Sequence, residues 1–334
     1  MKARLVVAAL IILGIAFGYM IRDVQADSQI EALSSLVKEQ EIPSGIEVYK
    51  KGIQKLWKEG PTQAETYFDT EMRKSGDLMA MFGKGSALFL KKDFPEAERR
   101  FEYIIQSSRP GSLITMNSYY MLGLINVGMG ETDAATRYLN TALQYFERIE
   151  YTENIWKCHL SLAKNYLNIG KFAAAEKHLT IAFNEDLTSS EALIDSSSLG
   201  FFYNLKSIVR FFQGDVPKAL EYAKLSLEGY KKNEYQDGIC SSTILVGLYE
   251  TLNGNIEGGR QYTIDAQKIF PIDEFQSKDL YYYNFVNFVL IYKCEDDMTY
   301  MEAMAKILEY LKTNHDPWLQ ALLDYAIKWD CKIQ

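Results

Sequence analysis

The amino-acid sequence predicts an all-α chain: a solenoid of repeated helix pairs closed by one last helix. Three observations carry that prediction. After residue 45 apolar residues recur at helical spacing, with no convincing strand alternation. Short breaks interrupt the pattern: GPT at 60–62, RPG at 109–111, GMGE at 128–131, IGK at 169–171, QGD at 213–215 and NGN at 253–255. Small residues then return at matching offsets from successive breaks, which is how a repeat array announces itself in sequence.

In chain order, the first element is the N-terminus. Leu5 to Ile21 is an uncharged apolar run, with Lys2 and Arg4 before it and Arg22 and Asp23 after it. A basic start followed by an apolar run is the pattern of an export signal. Two forms stay open for residues 1–26. Val24-Gln25-Ala26 offers small residues where a signal peptidase reads, and the apolar run also reaches the minimum span of a bilayer, about 17–25 residues. Either form predicts an exported chain, periplasmic or anchored in the inner membrane with the repeats facing the periplasm. Residues 27–44 read as a polar spacer, 45–315 as the repeat array, and 316–334 as a capping helix that starts at Asp316-Pro317.

Within the array, LGLINVGMGETDAATRYLNTALQYF from Leu122 aligns with the segments from Leu162, Lys206 and Val246. The small residue of the first helix is Gly52, Gly85, Gly123, Ala163, Ser207 or Gly247. The turn glycine is Gly130, Gly170, Gly214 or Gly254, where a left-handed backbone favours glycine. The second helix answers with Ala64, Ala97, Ala135, Ala175, Ala219 or Gly259, and four residues later with Phe68, Phe101, Leu139 or Leu179. This pattern resembles the tetratricopeptide repeat family, over about six repeats and a less regular seventh at 278–293 and 297–313. The resemblance implies a right-handed superhelix in which no single pair buries its apolar faces alone. Turn positions 92, 130, 170, 214 and 254 lie 38 to 44 residues apart, longer than the family's 34, and the family's first-helix tryptophan is absent.

The family's groove-facing positions, carried onto this chain, select a partner-binding surface rich in rings and amides. It comprises Phe82, Phe89, Tyr120, Lys157, Lys164, Asn168, Phe201, Asn204, Phe211, Phe212, Tyr281, Asn284 and Phe288. Aromatic rings supply contact area, and an asparagine amide can pair with both N–H and C=O of an extended peptide. Lys157 and Lys164, seven apart, share a helix face and could meet a carboxylate. The opposite reading is that these rings pack inward, and substituting Phe211 and Phe212 by serine separates the two: lost binding means exposure, unfolding means core.

Composition excludes more than it selects. The 334 residues are 48% hydrophobic and 24% charged, with a formal net charge of −8, so the chain lacks the basic footprint of a nucleic-acid binder. The four cysteines, Cys158, Cys240, Cys294 and Cys331, show no metal-ligand spacing and are compatible with two disulfides or with four partly buried thiols. Glu295-Asp296-Asp297 lacks the alternating ligands of a calcium loop, and Gly83-Lys84-Gly85-Ser86 is only a fragment of a phosphate loop. Neither a catalytic group, a metal site nor a cofactor is expected. The sequence therefore points to a non-catalytic scaffold of the cell envelope that binds a protein or peptide segment. The alternative is a peptide-sensing receptor whose array tightens on its ligand.

Overall fold

A computed structural model describes residues 44–183, 196–269, 278–294, 299–313 and 316–329. The expected signal segment 1–26, nearly all of the 27–44 spacer, the carboxylates 295–297, His315 and Cys331 lie outside these residues. Among the described residues there are fifteen helices and no strand. They form two compact units that divide between Asn165 and Tyr166.

The first unit contains α1 (Ser44–Glu59), α2 (Pro61–Ser75), α3 (Leu78–Leu90), α4 (Phe94–Ser107), α5 (Leu113–Met129), α6 (Thr132–Arg148) and most of α7 (Thr152–Asn168). The second contains α8 (Phe172–Ala182), α9 (Ser196–Phe212), α10 (Val216–Lys232), α11 (Gln236–Leu252) and α12 (Ile256–Ile269). It continues with α13 (Lys278–Cys294), α14 (Thr299–Thr313) and α15 (Pro317–Lys328). Consecutive helices pack in pairs, and the odd-numbered helices also meet one another: α1 with α3, α3 with α5, α9 with α11, α11 with α13, and α13 with α15. In each unit the first helices of the pairs thus make one continuous layer.

Local chemistry explains where helices begin and end. Asp77, Asp93, Ser112, Asp215 and Asp316 each accept a hydrogen bond from a backbone N–H of the helix that follows, which satisfies donors the helix leaves open. Gly130, Gly170, Gly214 and Gly254 all have positive φ, as the turn positions require. In the second repeat the turn carries Lys92 instead, at φ 61°.

The small-residue code has a direct packing meaning. A side-chain carbon added to Gly52 would strike the Phe68 ring, one on Gly85 the Phe101 ring, and one on Gly123 the Leu139 side chain. Each first-helix glycine is therefore the socket for the large residue of its own second helix. In the α11–α12 pair both partners are glycine. A carbon on Gly259 would lie 2.8 Å from the Gly247 carbonyl oxygen, so the two backbones themselves nearly touch. The Gly-Lys-Gly-Ser fragment sits inside α3, where the Lys84 Nζ lies 2.6 Å from Asp69 Oδ1 of α2.

The cysteines match neither sequence expectation as a whole. Cys158 and Cys240 are buried thiols, whereas Cys294 is disulfide-bonded.

Candidate functional site

Five of the residues expected to line a groove belong to the core or to helix packing instead. Phe82 is buried against Tyr49 and Phe101. Tyr120 is buried on α5, its hydroxyl 3.4 Å from the Ser161 hydroxyl of α7. Phe211 is buried, stacked on Tyr249 of α11 and set against Tyr325 of α15. Phe212 stacks on Phe172, and Phe89 is half-buried against Phe94. The physical reason is geometric: two adjacent rings such as Phe211 and Phe212 point about 100° apart on a helix, so at least one must face a neighbour. Substituting these two by serine therefore tests the core before it tests a ligand.

The remaining expected residues fall into three groups. Lys164, Asn168, Phe201 and Asn204 are half-buried, as is Phe288, which stacks on Tyr292. Lys157 is buried rather than groove-exposed. Tyr281 lies on α13 with its side chain outside the described residues, and Asn284 is buried on the same helix.

In the first unit the layer of first helices carries a polar seam between α5 and α7. Asn154 Nδ2 donates to Asn117 Oδ1 at 3.4 Å, and Asn117 Nδ2 donates to the Leu113 carbonyl at 2.9 Å. Ser161 returns its hydroxyl to the Lys157 carbonyl at 2.9 Å. Among the described residues Asn154 Oδ1 is buried with no hydrogen-bond partner, and so is Nε1 of Trp156 on the same helix. The seam thus offers one open acceptor, Asn154 Oδ1, while Trp156, two residues on, points to another side of α7.

The second unit has a sharper case on α13. Asn287 is fully buried and its amide is used twice: Oδ1 accepts from Thr251 Oγ1 at 3.2 Å, and Nδ2 donates to Thr263 Oγ1. Three residues earlier, Asn284 is 2% exposed, and among the described residues neither its Nδ2 nor its Oδ1 has a partner. Buried amides are normally paired, because leaving a buried polar group unsatisfied costs about 1–3 kcal/mol. Among the described residues of this unit, Glu176, Arg210 and Tyr249 each leave one buried polar atom without a partner, whereas Asn284 leaves both atoms of its amide.

Titratable groups here do not look like acid–base machinery. Burial pushes the Cys158 thiol far above its ordinary value and the Cys240 thiol up to about 12. Burial also raises the Tyr249 phenol above its ordinary value. Both thiols are held protonated at neutral pH, the state of an inert core cysteine.

Sequence reasoning missed Asn154, Trp156 and Tyr325. Asn154 was within reach, since it lies seven and fourteen residues before Ser161 and Asn168 on one helix face. Tyr325 had no such signal, because its contact with Phe211 spans more than a hundred residues of sequence.

No protein-family model matches the sequence, and no curated protein matches it. Solved structures do match. A Rap protein complexed with competence and sporulation factor superposes with a TM-score of 0.60 at 14% identity, over 91% of this chain and 92% of that one. NprR in complex with its cognate peptide NprX gives 0.57 at 15% identity, over 90% and 93%. Aspartyl phosphate phosphatase F from Bacillus subtilis gives 0.51 at 11% identity, over 100% and 96%. The chain has the tetratricopeptide-like helical-repeat solenoid fold of these proteins.

This corrects the expected location. The envelope placement rested on the apolar run of residues 1–26 alone, whereas the fold is shared with Rap and NprR proteins. Among the described residues no helix is long and apolar enough to cross a membrane. The periplasmic, membrane-anchored assignment is withdrawn.

Proposed function

We propose that this chain is a non-catalytic binding protein whose layer of first helices takes up the main chain of a peptide or of a protein's extended segment. The observation that carries the reading is Asn284, a buried amide whose donor and acceptor both lack a partner among the described residues, so that a main chain reaching it parts the side chains packed around it. A peptide unit presents one C=O and one N–H, the complement of a side-chain amide. In the first unit Asn154 Oδ1 is an acceptor likewise without a partner among the described residues. Amides can pair with a ligand, but they neither attack a substrate nor move protons at neutral pH, so the reading is of recognition rather than turnover. The likeness to Rap and NprR, each solved with a peptide or factor bound, supports the same reading.

Panning random peptides against the full chain tests it. Selected peptides should lose affinity about tenfold or more on Asn284→Ala or Asn154→Ala, as expected when a buried pairing group is removed. Binding that both substitutions leave unchanged would overturn the assignment. Scattering separates a sensor from a scaffold: compaction of the chain on peptide addition marks sensing, and an unchanged radius at saturation marks scaffolding.

A further inference from the structure

The last pair of the array leaves its second helix half covered. Within the second unit α10 lies between α9 and α11, and α12 lies between α11 and α13. The next second helix, α14, packs on α13, but α15 does not close over it. Instead α15 returns to α13 and sets the Tyr325 ring 5.0 Å from that of Phe211 on α9. Among the described residues α14 therefore has one flanking helix where α10 and α12 have two. Its sequence nevertheless provides for two. Ile307 is buried, with Met304 and Leu311 half-buried beside it. About 100° further round the helix, Met301, Ala305 and Leu308 form a second apolar line at i, i+4 and i+7. All three are exposed, Met301 by 51% and Leu308 by 44%. A terminal repeat normally turns a polar face outward, because nothing follows to cover it. The charges beside this line are ordered: Glu302 lies in the first turn, and Lys312, which continues the line at i+11, lies in the last.

We propose that this face joins two copies of the chain, with the two α14 helices antiparallel about a two-fold axis between Ala305 and Leu308. A two-fold contact uses the same patch on both chains, so the patch must complement itself. Helical spacing of about 1.5 Å and 100° per residue sets Ala305 of each chain against Leu308 of the other, the small side chain receiving the large one. The same register brings Glu302 of each chain beside Lys312 of the other, twice in one dimer. A parallel pairing would set Glu302 against Glu302 and Lys312 against Lys312, so charge selects the antiparallel form. Charge also selects a second copy as the occupant, because the acid, the base, the small and the large residue of the face each find their counterpart on the face itself. The contact is one helix of 15 residues long, about 22 Å. It covers less than the roughly 1,200 Å² of a standard stable interface, so association is weak and depends on concentration.

Sedimentation equilibrium of the full chain tests this. No peptide is present, so failure of the amide reading leaves the outcome unaffected. The mean mass should rise toward twice that of one chain between about 1 and 100 µM. Leu308→Asp, at an exposed position, should hold the mass at that of one chain over the same range with an unchanged thermal melt. Glu302→Lys and Lys312→Glu should each weaken association about fivefold, since both turn two attractive pairs into two repulsive ones. Mixing these two variants should restore it, because each chain then offers the charge that the other lacks. The charge variants keep the apolar line intact, so they decide the matter even where Leu308→Asp lowers the melt. A single-chain mass at every concentration would overturn the proposal. So would association that a stably folded Leu308→Asp chain retains, or a mixture that associates no more tightly than either charge variant alone.

Discussion

Replacing Asn284 by leucine should stabilise the free protein and abolish its binding of a peptide main chain. The side chain is 2% exposed, and both its polar atoms lack partners among the described residues. Each buried unsatisfied group costs about 1–3 kcal/mol, and leucine has the same branched four-atom shape as asparagine with bulkier methyl ends, so the substitution removes that cost without opening a cavity. A net gain of about 2 kcal/mol follows, read as a higher urea midpoint with an unchanged slope. In thermal unfolding each kcal/mol corresponds to roughly 2–4 °C for a unit of this size. Asn287→Leu supplies the internal control, three residues further along the same helix. That amide is paired with Thr251 and Thr263, so its loss should destabilise by about 1–2 kcal/mol. Opposite signs at neighbouring asparagines are the outcome expected. A destabilisation of 1 kcal/mol or more by Asn284→Leu would show that its amide is paired in the folded chain, and the reasoning would fail.

Four further outcomes follow from the packing and titration. Gly259→Ala should cost about 1–3 kcal/mol by overpacking, because its new carbon meets the Gly247 carbonyl oxygen, which is backbone; urea titration checks this. Gly214→Ala should cost about 1–2 kcal/mol for a different reason, since space is open around it but φ is 81°. Cys158 and Cys240 should resist maleimide at pH 8 and react only as fast as the chain unfolds, because burial keeps both thiols protonated. Burial, and then Lys177, lowers the pKa of His178, so the folded state holds its proton less tightly than the unfolded state does. Stability from this group is complete above the unfolded value of about 6.5 and declines as pH falls through it; His178→Gln should flatten that slope in pH-dependent urea titrations.

The repeats were legible because their code is local and steric. Gly52, Gly85 and Gly123 recur at fixed offsets from Phe68, Phe101 and Leu139, and each proves to be the socket for that side chain. Turn glycines such as Gly130 were legible for the same reason, since a backbone angle can be met by only a few residue types. The candidate site was legible only in part. Residue type and helix face pick out Asn284, but Asn287 on the same helix has the same type, and whether an amide is paired depends on Thr251 and Thr263 from other helices. The groove rings misled because a family's exposed positions were carried onto a chain whose own last helix covers one of them: Tyr325 meets Phe211, and no local pattern encodes that contact. The apolar N-terminal run is a strong local pattern as well, yet it speaks of residues 1–26 and not of what the repeats do.

The most direct test of the central claim is side-chain amide spectroscopy on asparagine-labelled full chain, titrated with a peptide selected by panning. The account predicts that at saturation the Nδ2 resonance of Asn284 shifts, that of Asn154 shifts through a new bond to its Oδ1 while its Nδ2 keeps Asn117, and that of the already paired Asn287 stays in place. Saturable binding with the Asn284 and Asn154 amides both unmoved would place the ligand elsewhere and contradict the account.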